Sequence, residues 1–363
     1  MTDSRFEIHP EVARARTLDK SFYLDPAAYA LARERLFARS WQWLGTLDDV
    51  STPGSMSPRE LLPGLLDEPL LLARDEAGTL RCMSNVCTHR GNRLVHEPCR
   101  AAQIRCGYHS RRFGLDGRMQ FMPGFEGACD FPTAADDLAH VPWGSFGGHA
   151  FASIAPLFAL HELLEPLQAR LAWLPVQGFT ADPTHSRDYE FDAHWALYVE
   201  NYLEGLHIPF VHPVLSGTLD LNHYHYELGH GSVLQWAVAR DGEACFELPA
   251  SSPDHGRRIA AYYWWLFPNL MLNFYPWGLS VNLVQPLGLT RTRVQFRSFV
   301  ADASLLEVGA GGALDAVELE DEAVVMGVQR GIASRLYTGG RYAPHHEQGV
   351  HHFHRLVAEF MRV

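Results

Sequence analysis

A chain of 363 residues, 47% hydrophobic and 20% charged, is long enough for about two packed domains and too apolar for a disordered or fibrous protein. Its net charge of −12 has the wrong sign for tracking a nucleic-acid backbone, and no apolar window approaches the ~20 residues of a membrane helix, so neither nucleic acid nor membrane is expected as a partner. Residues 1–5 (Met-Thr-Asp-Ser-Arg) begin no apolar leader, which points to a cytoplasmic chain.

In chain order, residues 1–40 are expected to form a leader and a helix, with Pro26 opening a segment in which Tyr29, Leu31, Leu36 and Phe37 recur at near-helical spacing. Lys20, the only lysine among 30 basic residues, leaves no lysine for a phosphate loop or a Schiff base in the folded body. Residues 41–156 change to short apolar runs broken by Gly, Pro and Asp-Gly, the pattern of an all-β module; residues 70–73 before the turn at 75–78, and the hairpin at 113–117, are examples. Residues 157–363 read as α+β, with helices at 161–173 and 194–207, strands as far as Phe299, and two last helices over about 318–336 and 347–361.

The β module carries Cys87-Thr-His89 and, after 16 residues, Cys106-Gly-Tyr-His109. Two thiolates and two imidazoles on two Gly-bearing loops suit a 2Fe-2S cluster whose histidine-bound iron raises the potential above that of an all-cysteine cluster. A structural zinc site orders its ligands Cys-x2–4-Cys and then His-x3–5-His, which is absent here. Cys82, Cys99, Cys129 and Cys245 read as small buried hydrophobes.

The second half offers Glu200-Asn201-Tyr-Leu-Glu204-Gly-Leu-His207-Ile-Pro-Phe-Val-His212. On one continuous helix Glu200, Glu204 and His207 share a face with Ala196 and Leu203, and Pro209 breaks the helix so that His212 turns back toward His207. The His-x4-His spacing alone says little, since His225/His230 and His346/His351 share it. Two histidines and one carboxylate leave Fe(II) positions open for dioxygen. For the carboxylate, Val324, Val325, Val328 and Ile332 fall within about 60° of Asp321 on a helical wheel, which centres Asp321 on an apolar stripe. Glu320 and Glu322 fall to the sides as solvated charges, and Glu318 is the runner-up. His345, His346, His351, His352 and His354 spread over several faces and read as surface histidines.

The run Cys87-Thr-His-Arg-Gly91 resembles the first loop of the Rieske iron-sulfur family. The positions that carry a disulfide in its respiratory carriers are Asn92 and Tyr108 here, so the resemblance goes to the Rieske non-haem iron oxygenases; Ser110-Arg111 departs from the Gly-Trp that many of them have. Glu204-x2-His207-x4-His212 likewise resembles that family's mononuclear iron motif. The resemblance implies an α+β chain: an N-terminal all-β Rieske 2Fe-2S domain, then a helix-grip catalytic domain with an antiparallel sheet and mononuclear Fe(II). It implies that Glu204 bridges His207 to a Rieske histidine of the neighbouring subunit, that Asn201 lies near the iron, and that the chain forms a homotrimer. The implied reaction uses O2 to hydroxylate, or oxidatively demethylate, a small organic substrate. With no Gly-x-Gly-x-x-Gly after a strand, electrons come from a separate ferredoxin or flavin reductase, for which the local +6 charge of residues 81–118 is a docking surface. Tyr262, Tyr263, Trp264, Trp265, Phe274, Tyr275 and Trp277 suit either a flat aromatic ring or a quaternary ammonium, with half of them core by strand alternation. Tyr23-x-Asp25-Pro26 and Glu204 lean toward members that oxidise choline-like or carnitine-like amines. The alternative is a Rieske-type electron carrier or iron-sulfur sensor without oxygenase activity.

Overall fold

The computed structural model describes residues 6–362; residues 1–5, on which the expectation about a leader rests, lie outside them. The chain divides into two units, one of Ala38–Leu157 and one made of the residues up to Phe37 together with those from Phe158 on.

The Ala38–Leu157 unit is all β. Its strands are β1 (Gln42–Thr46), β2 (Ser55–Leu61), β3 (Glu68–Arg74), β4 (Leu80–Ser84), β5 (Cys99–Arg100), β6 (Ile104–Arg105), β7 (Arg112–Phe113), β8 (Met119–Phe121), β9 (Trp143–Phe146) and β10 (His149–Ala152). They form small sheets in the orders β4-β3-β2-β5, β1-β10-β9 and β6-β7-β8. The apolar run of β3 serves two cores because strand side chains alternate: Leu71 and Ala73 pack with Met56, Met83 and Ile104, whereas Leu70 and Leu72 pack with Leu44, Val50 and Ala150.

The other unit is α+β. It contains α1 (Ser21–Leu24), α2 (Pro26–Ala32), α3 (Leu160–Arg170), β11 (Thr180–Phe191), α4 (Trp195–Tyr202), α5 (Ile208–Val211), α6 (Pro213–Thr218), β12 (Leu219–Leu228), β13 (Ser232–Ala239), β14 (Ile259–Leu266), β15 (Leu270–Tyr275), β16 (Gly278–Gly288), β17 (Arg291–Val300), α7 (Leu314–Ile332) and α8 (Gln348–Arg362). The strands make one seven-stranded antiparallel sheet in the order β11-β17-β16-β15-β14-β13-β12. Central β15 buries all six of its residues, while the edge strands β11 and β12 are largely exposed. Asp25 caps α2, its Oδ1 accepting the Ala27 N–H at 2.9 Å with Pro26 in the first turn, so the Tyr23-x-Asp25-Pro26 motif is a helix start. Among the described residues no helix is long and apolar enough to cross a membrane.

Several expectations need correction. The helix expected over 194–207 ends at Tyr202, so Glu204 and His207 lie in a turn and not on one face with Glu200. Pro209 sits in the first turn of α5, starting a helix instead of breaking one. Of the C-terminal histidines, His345 and His346 are exposed as expected, whereas His351 and His354 are buried in α8 and His352 is half-buried. That helix approaches so closely that a Cβ at Gly349 would lie 2.5 Å from the Leu203 carbonyl oxygen. Cys82 is buried as expected, but Cys99 and Cys129 are exposed.

Candidate functional site

The two Cys/His loops have the same backbone design. The Cys87 N–H donates to the Asn92 carbonyl at 2.8 Å, and the Gly91 N–H donates back to Cys87 at 2.9 Å. The Cys106 N–H donates to Arg111 at 2.8 Å, and the Ser110 N–H donates back to Cys106 at 3.1 Å. The fourth residue after each cysteine is left-handed, Gly91 at φ 68° and Ser110 at φ 60°. Glycine enters that region at little cost, whereas Ser110 is steadied by Arg105, whose guanidinium donates to its Oγ at 2.9 Å.

The loops bring the four candidate ligands together. The His89 and His109 rings lie edge to face with centroids 4.8 Å apart, and His109 Nδ1 is buried with no partner. Cys106 Sγ receives the Tyr108 N–H at 3.4 Å and the Asn92 amide at 3.7 Å. Burial raises the Cys106 thiol, but the N–H groups of Tyr108 and His109, with Cys87 and the Asn92 amide, together outweigh it and hold the thiol below its usual range. Burial and the neighbouring Cys106 sulfur instead push the Cys87 thiol up, so one sulfur of the pair is prepared for negative charge. That pair beside an orphaned imidazole nitrogen is the kind of donor set a 2Fe-2S cluster needs. Reduced protein is expected to give the electron paramagnetic resonance signal of a mixed Cys/His cluster and to contain two sulfides per chain with at least two irons. A four-cysteine signal, or zinc in place of iron, would overturn the assignment of Cys87, His89, Cys106 and His109.

Arg111, one of the eight arginines of residues 81–118, is not available for docking. It is buried, pairs with Asp136 at 2.6 Å, and lies over the rings of Phe113 and Phe131 at 5.7 and 5.5 Å. The departure from the common Gly-Trp thus puts a paired guanidinium into the core of this module.

In the other unit, His207, His212 and Asp321 meet, their donor atoms all within 4.8 Å of one another. His207 Nδ1 bonds Glu204 Oε1 at 2.6 Å, and His212 Nδ1 bonds Glu320 Oε2 at 2.7 Å. Carboxylate acceptors keep the proton on each Nδ1, so each Nε2 presents a lone pair. The two Nε2 atoms are 3.2 Å apart, and Asp321 Oδ1 lies 3.0 Å from that of His212 and 3.6 Å from that of His207. Two lone pairs and a carboxylate oxygen converging on one point repel unless a cation sits among them, so the residues fit a mononuclear metal. Asn201 donates to Asp321 Oδ1 and holds the carboxylate.

Glu320 corrects an expectation: it faces His212 and is not a free helix charge. Nothing local could reveal this, because its partner lies 108 residues earlier. Glu320→Ala is expected to weaken iron binding by about 10-fold, the low end for a carboxylate supporting a ligand histidine, because Glu320 is 40% exposed. Metal titration measures it, and unchanged affinity would remove Glu320 from the site. The apolar stripe proposed for this helix is also only partly buried: Glu318, Val325 and Ile332 form the buried line of α7, while Val324 and Val328 are exposed. Glu322 is partly buried and its Oε1 has no partner, so it is not a simple solvated charge either. Glu200, expected beside Glu204, turns instead to Tyr23, whose hydroxyl donates to it at 2.6 Å, and to His354 at 3.1 Å.

A cavity adjoins the triad, lined by Tyr202, Tyr224, Tyr263, Tyr275 and Phe296. Strand alternation turns Tyr263 and Tyr275 to the cavity and Tyr262, Trp264 and Phe274 to the other face, while Trp265, on the Tyr263 face, and Trp277, between strands, are core. Glu318 also lines it, with the Tyr198 hydroxyl donating to Oε2 and Oε1 buried without a partner. Burial pushes the Glu318 carboxyl well above the usual range, against the pull of the Tyr198 bond.

Comparison with known proteins agrees with both halves. Residues 180–363 match the family model of the ring hydroxylating alpha subunit (catalytic domain), and residues 40–132 match the Rieske [2Fe-2S] domain. The chain is 29% identical to the chloroplastic choline monooxygenase of Arabidopsis thaliana, over 97% of this chain and 85% of that one. It is 26% identical to the carnitine monooxygenase oxygenase subunit of Escherichia coli (strain K12), over 96% and 94%. In fold it is similar to a quaternary ammonium Rieske monooxygenase in complex with L-carnitine (TM-score 0.76, 22% identity, 98% and 99% covered). The naphthalene 1,2-dioxygenase of Rhodococcus sp. is similar too (TM-score 0.72, 19% identity, 95% and 94% covered).

Proposed function

The chain belongs to the ring-hydroxylating alpha-subunit family, and from that premise we propose that it is an oxygenase for a small quaternary amine. It is the oxygenase component of a Rieske oxygenase, an oxidoreductase with a 2Fe-2S cluster and a mononuclear iron, working with O2 and a separate electron-donor protein. When bound, the cluster passes single electrons and the iron activates dioxygen for attack on a C–H bond. In our reading Cys87, His89, Cys106 and His109 hold the cluster, and His207, His212 and Asp321 hold the iron. Glu204 and Glu320 orient the two imidazoles, and Asn201 orients Asp321. The electron-carrier alternative leaves residues 180–363 without a task.

The observation that carries the proposal is the convergence of His207 Nε2, His212 Nε2 and Asp321 Oδ1 beside a cavity walled by aromatic rings. Ring faces accept a quaternary ammonium, and among the described residues no Lys or Arg lines the cavity, so an anionic group finds no counter-charge there. Choline and carnitine are the substrates in the names of two relatives, which favours a quaternary amine over ring hydroxylation. A head-to-tail homotrimer, in which one subunit's cluster serves the next subunit's iron, accounts for a carboxylate at Glu204.

Oxygen uptake with a ferredoxin and flavin reductase tests the proposal, with choline and carnitine offered against naphthalene under 18O2. Consumption matched by an oxidised amine product carrying label, or by its cleavage products, is expected. Uptake without product, or turnover of naphthalene alone, would overturn it.

A further inference from the structure

Both metals are assigned to other side chains, which leaves, among the described residues, one carboxyl lining the cavity without a task. Glu318 is 3% exposed and lies one helical turn before Asp321 on α7. Only one of its oxygens is bonded, to the Tyr198 hydroxyl, and Oε1 is buried with no partner. A buried, half-satisfied carboxyl is costly and persists where a ligand completes it. Tyr198 is itself buried, and its hydroxyl donates to Glu318. The side chains of Tyr202, Tyr224, Tyr263, Tyr275 and Phe296 line the same space. Rings supply attraction to any cation but little direction, whereas a single carboxylate oxygen fixes where the charge sits.

We propose that Glu318 is the counter-ion of the substrate: Oε1 receives the ammonium head of a small cationic amine while Tyr198 holds Oε2 in place. This rests on the quaternary-amine reading above. Burial favours the neutral carboxyl before the amine arrives, and the positive head beside Oε1 reverses that preference, so the carboxyl ionises on binding and its proton leaves to solvent. Residues three apart on a helix are neighbours, so an ammonium held by Glu318 sits within one helical turn of Asp321 and presents its substituents to the triad. Glu318 is thereby a specificity residue. Its work is to distinguish a charged head from a neutral group of the same shape.

The test uses the loaded enzyme without reductant, with calorimetric binding of choline and of its uncharged carbon isostere, 3,3-dimethyl-1-butanol. Wild-type protein is expected to bind choline at least about 10-fold more tightly than the isostere. Glu318→Gln should remove most of the preference for choline, the remainder being what the rings supply, and leave isostere binding, iron content and the cluster spectrum unchanged. Glu318→Asp should retain part of the preference for the cation, and Tyr198→Phe should weaken choline binding by a few fold only. If Glu318→Gln keeps the full preference, or if Gln and Asp variants both lose the isostere as well, Glu318 is not the counter-ion. If wild-type protein shows no preference for choline, the failure lies in the quaternary-amine reading itself.

Discussion

Replacing Asp321 with alanine is expected to empty the mononuclear iron site while leaving the cluster spectrum intact. Asp321 supplies the only oxygen among the three converging donor atoms, and removing it leaves two neutral imidazoles for a divalent cation. Losing a supporting carboxylate costs a metal site about 10–100-fold in affinity, so losing a ligand should cost more than about 100-fold, with turnover falling in step. Asn201 would also lose the carboxylate it donates to, so the site relaxes further. The matching Glu318→Ala variant should keep its iron, because the Glu318 oxygens are directed to Tyr198 and the cavity. Iron analysis of both variants decides the matter. If Glu318→Ala loses the metal and Asp321→Ala retains it, the two carboxylates have been given each other's roles.

The parts of the molecule that could be read from the sequence are those whose geometry is closed locally. Each cluster loop is tied by hydrogen bonds between residues no more than five apart, so Cys-x-His and Cys-x-x-His carry almost the whole design. The β module was equally legible, because turns at Gly78 and Gly117 punctuate short apolar runs. The iron site is different. His212 and Asp321 stand 109 residues apart, and the bond from His212 to Glu320 is just as remote, so no local pattern could separate a ligand's support from a solvated charge. The helical-wheel argument reached Asp321 through a stripe that is only half buried: α7 buries the line Glu318, Val325 and Ile332, with Asp321 on its cavity flank. An unbroken helix through His207 failed for a related reason. Periodicity continues past Tyr202, but the carboxylate of Glu204 bonds the N–H groups of Leu206 and His207, so the chain turns there.

That turn makes Glu204 the place where electron transfer should be most fragile. Its carboxylate accepts from His207 Nδ1 at 2.6 Å, from the His207 N–H at 3.2 Å, and from the Leu206 N–H. An ionised carboxylate has about four acceptor sites, so one remains for a donor from outside the chain. In a head-to-tail ring that donor is the proposed cluster ligand His109 of the neighbouring copy, and Glu204 then joins the two imidazoles by hydrogen bonds. Glu204→Gln keeps the shape and one acceptor oxygen, but its amide nitrogen turns a donor toward one of the two imidazole N–H groups, so the two bridging bonds cannot both persist. Both metals and the proposed trimer should survive. With the cluster reduced beforehand, the rate at which substrate and O2 reoxidise it in a single turnover should fall by about 100-fold, the scale on which such supporting carboxylates act. A Glu204→Gln variant with normal single-turnover rates, or a fully active monomer, would show that electrons reach the iron by another route.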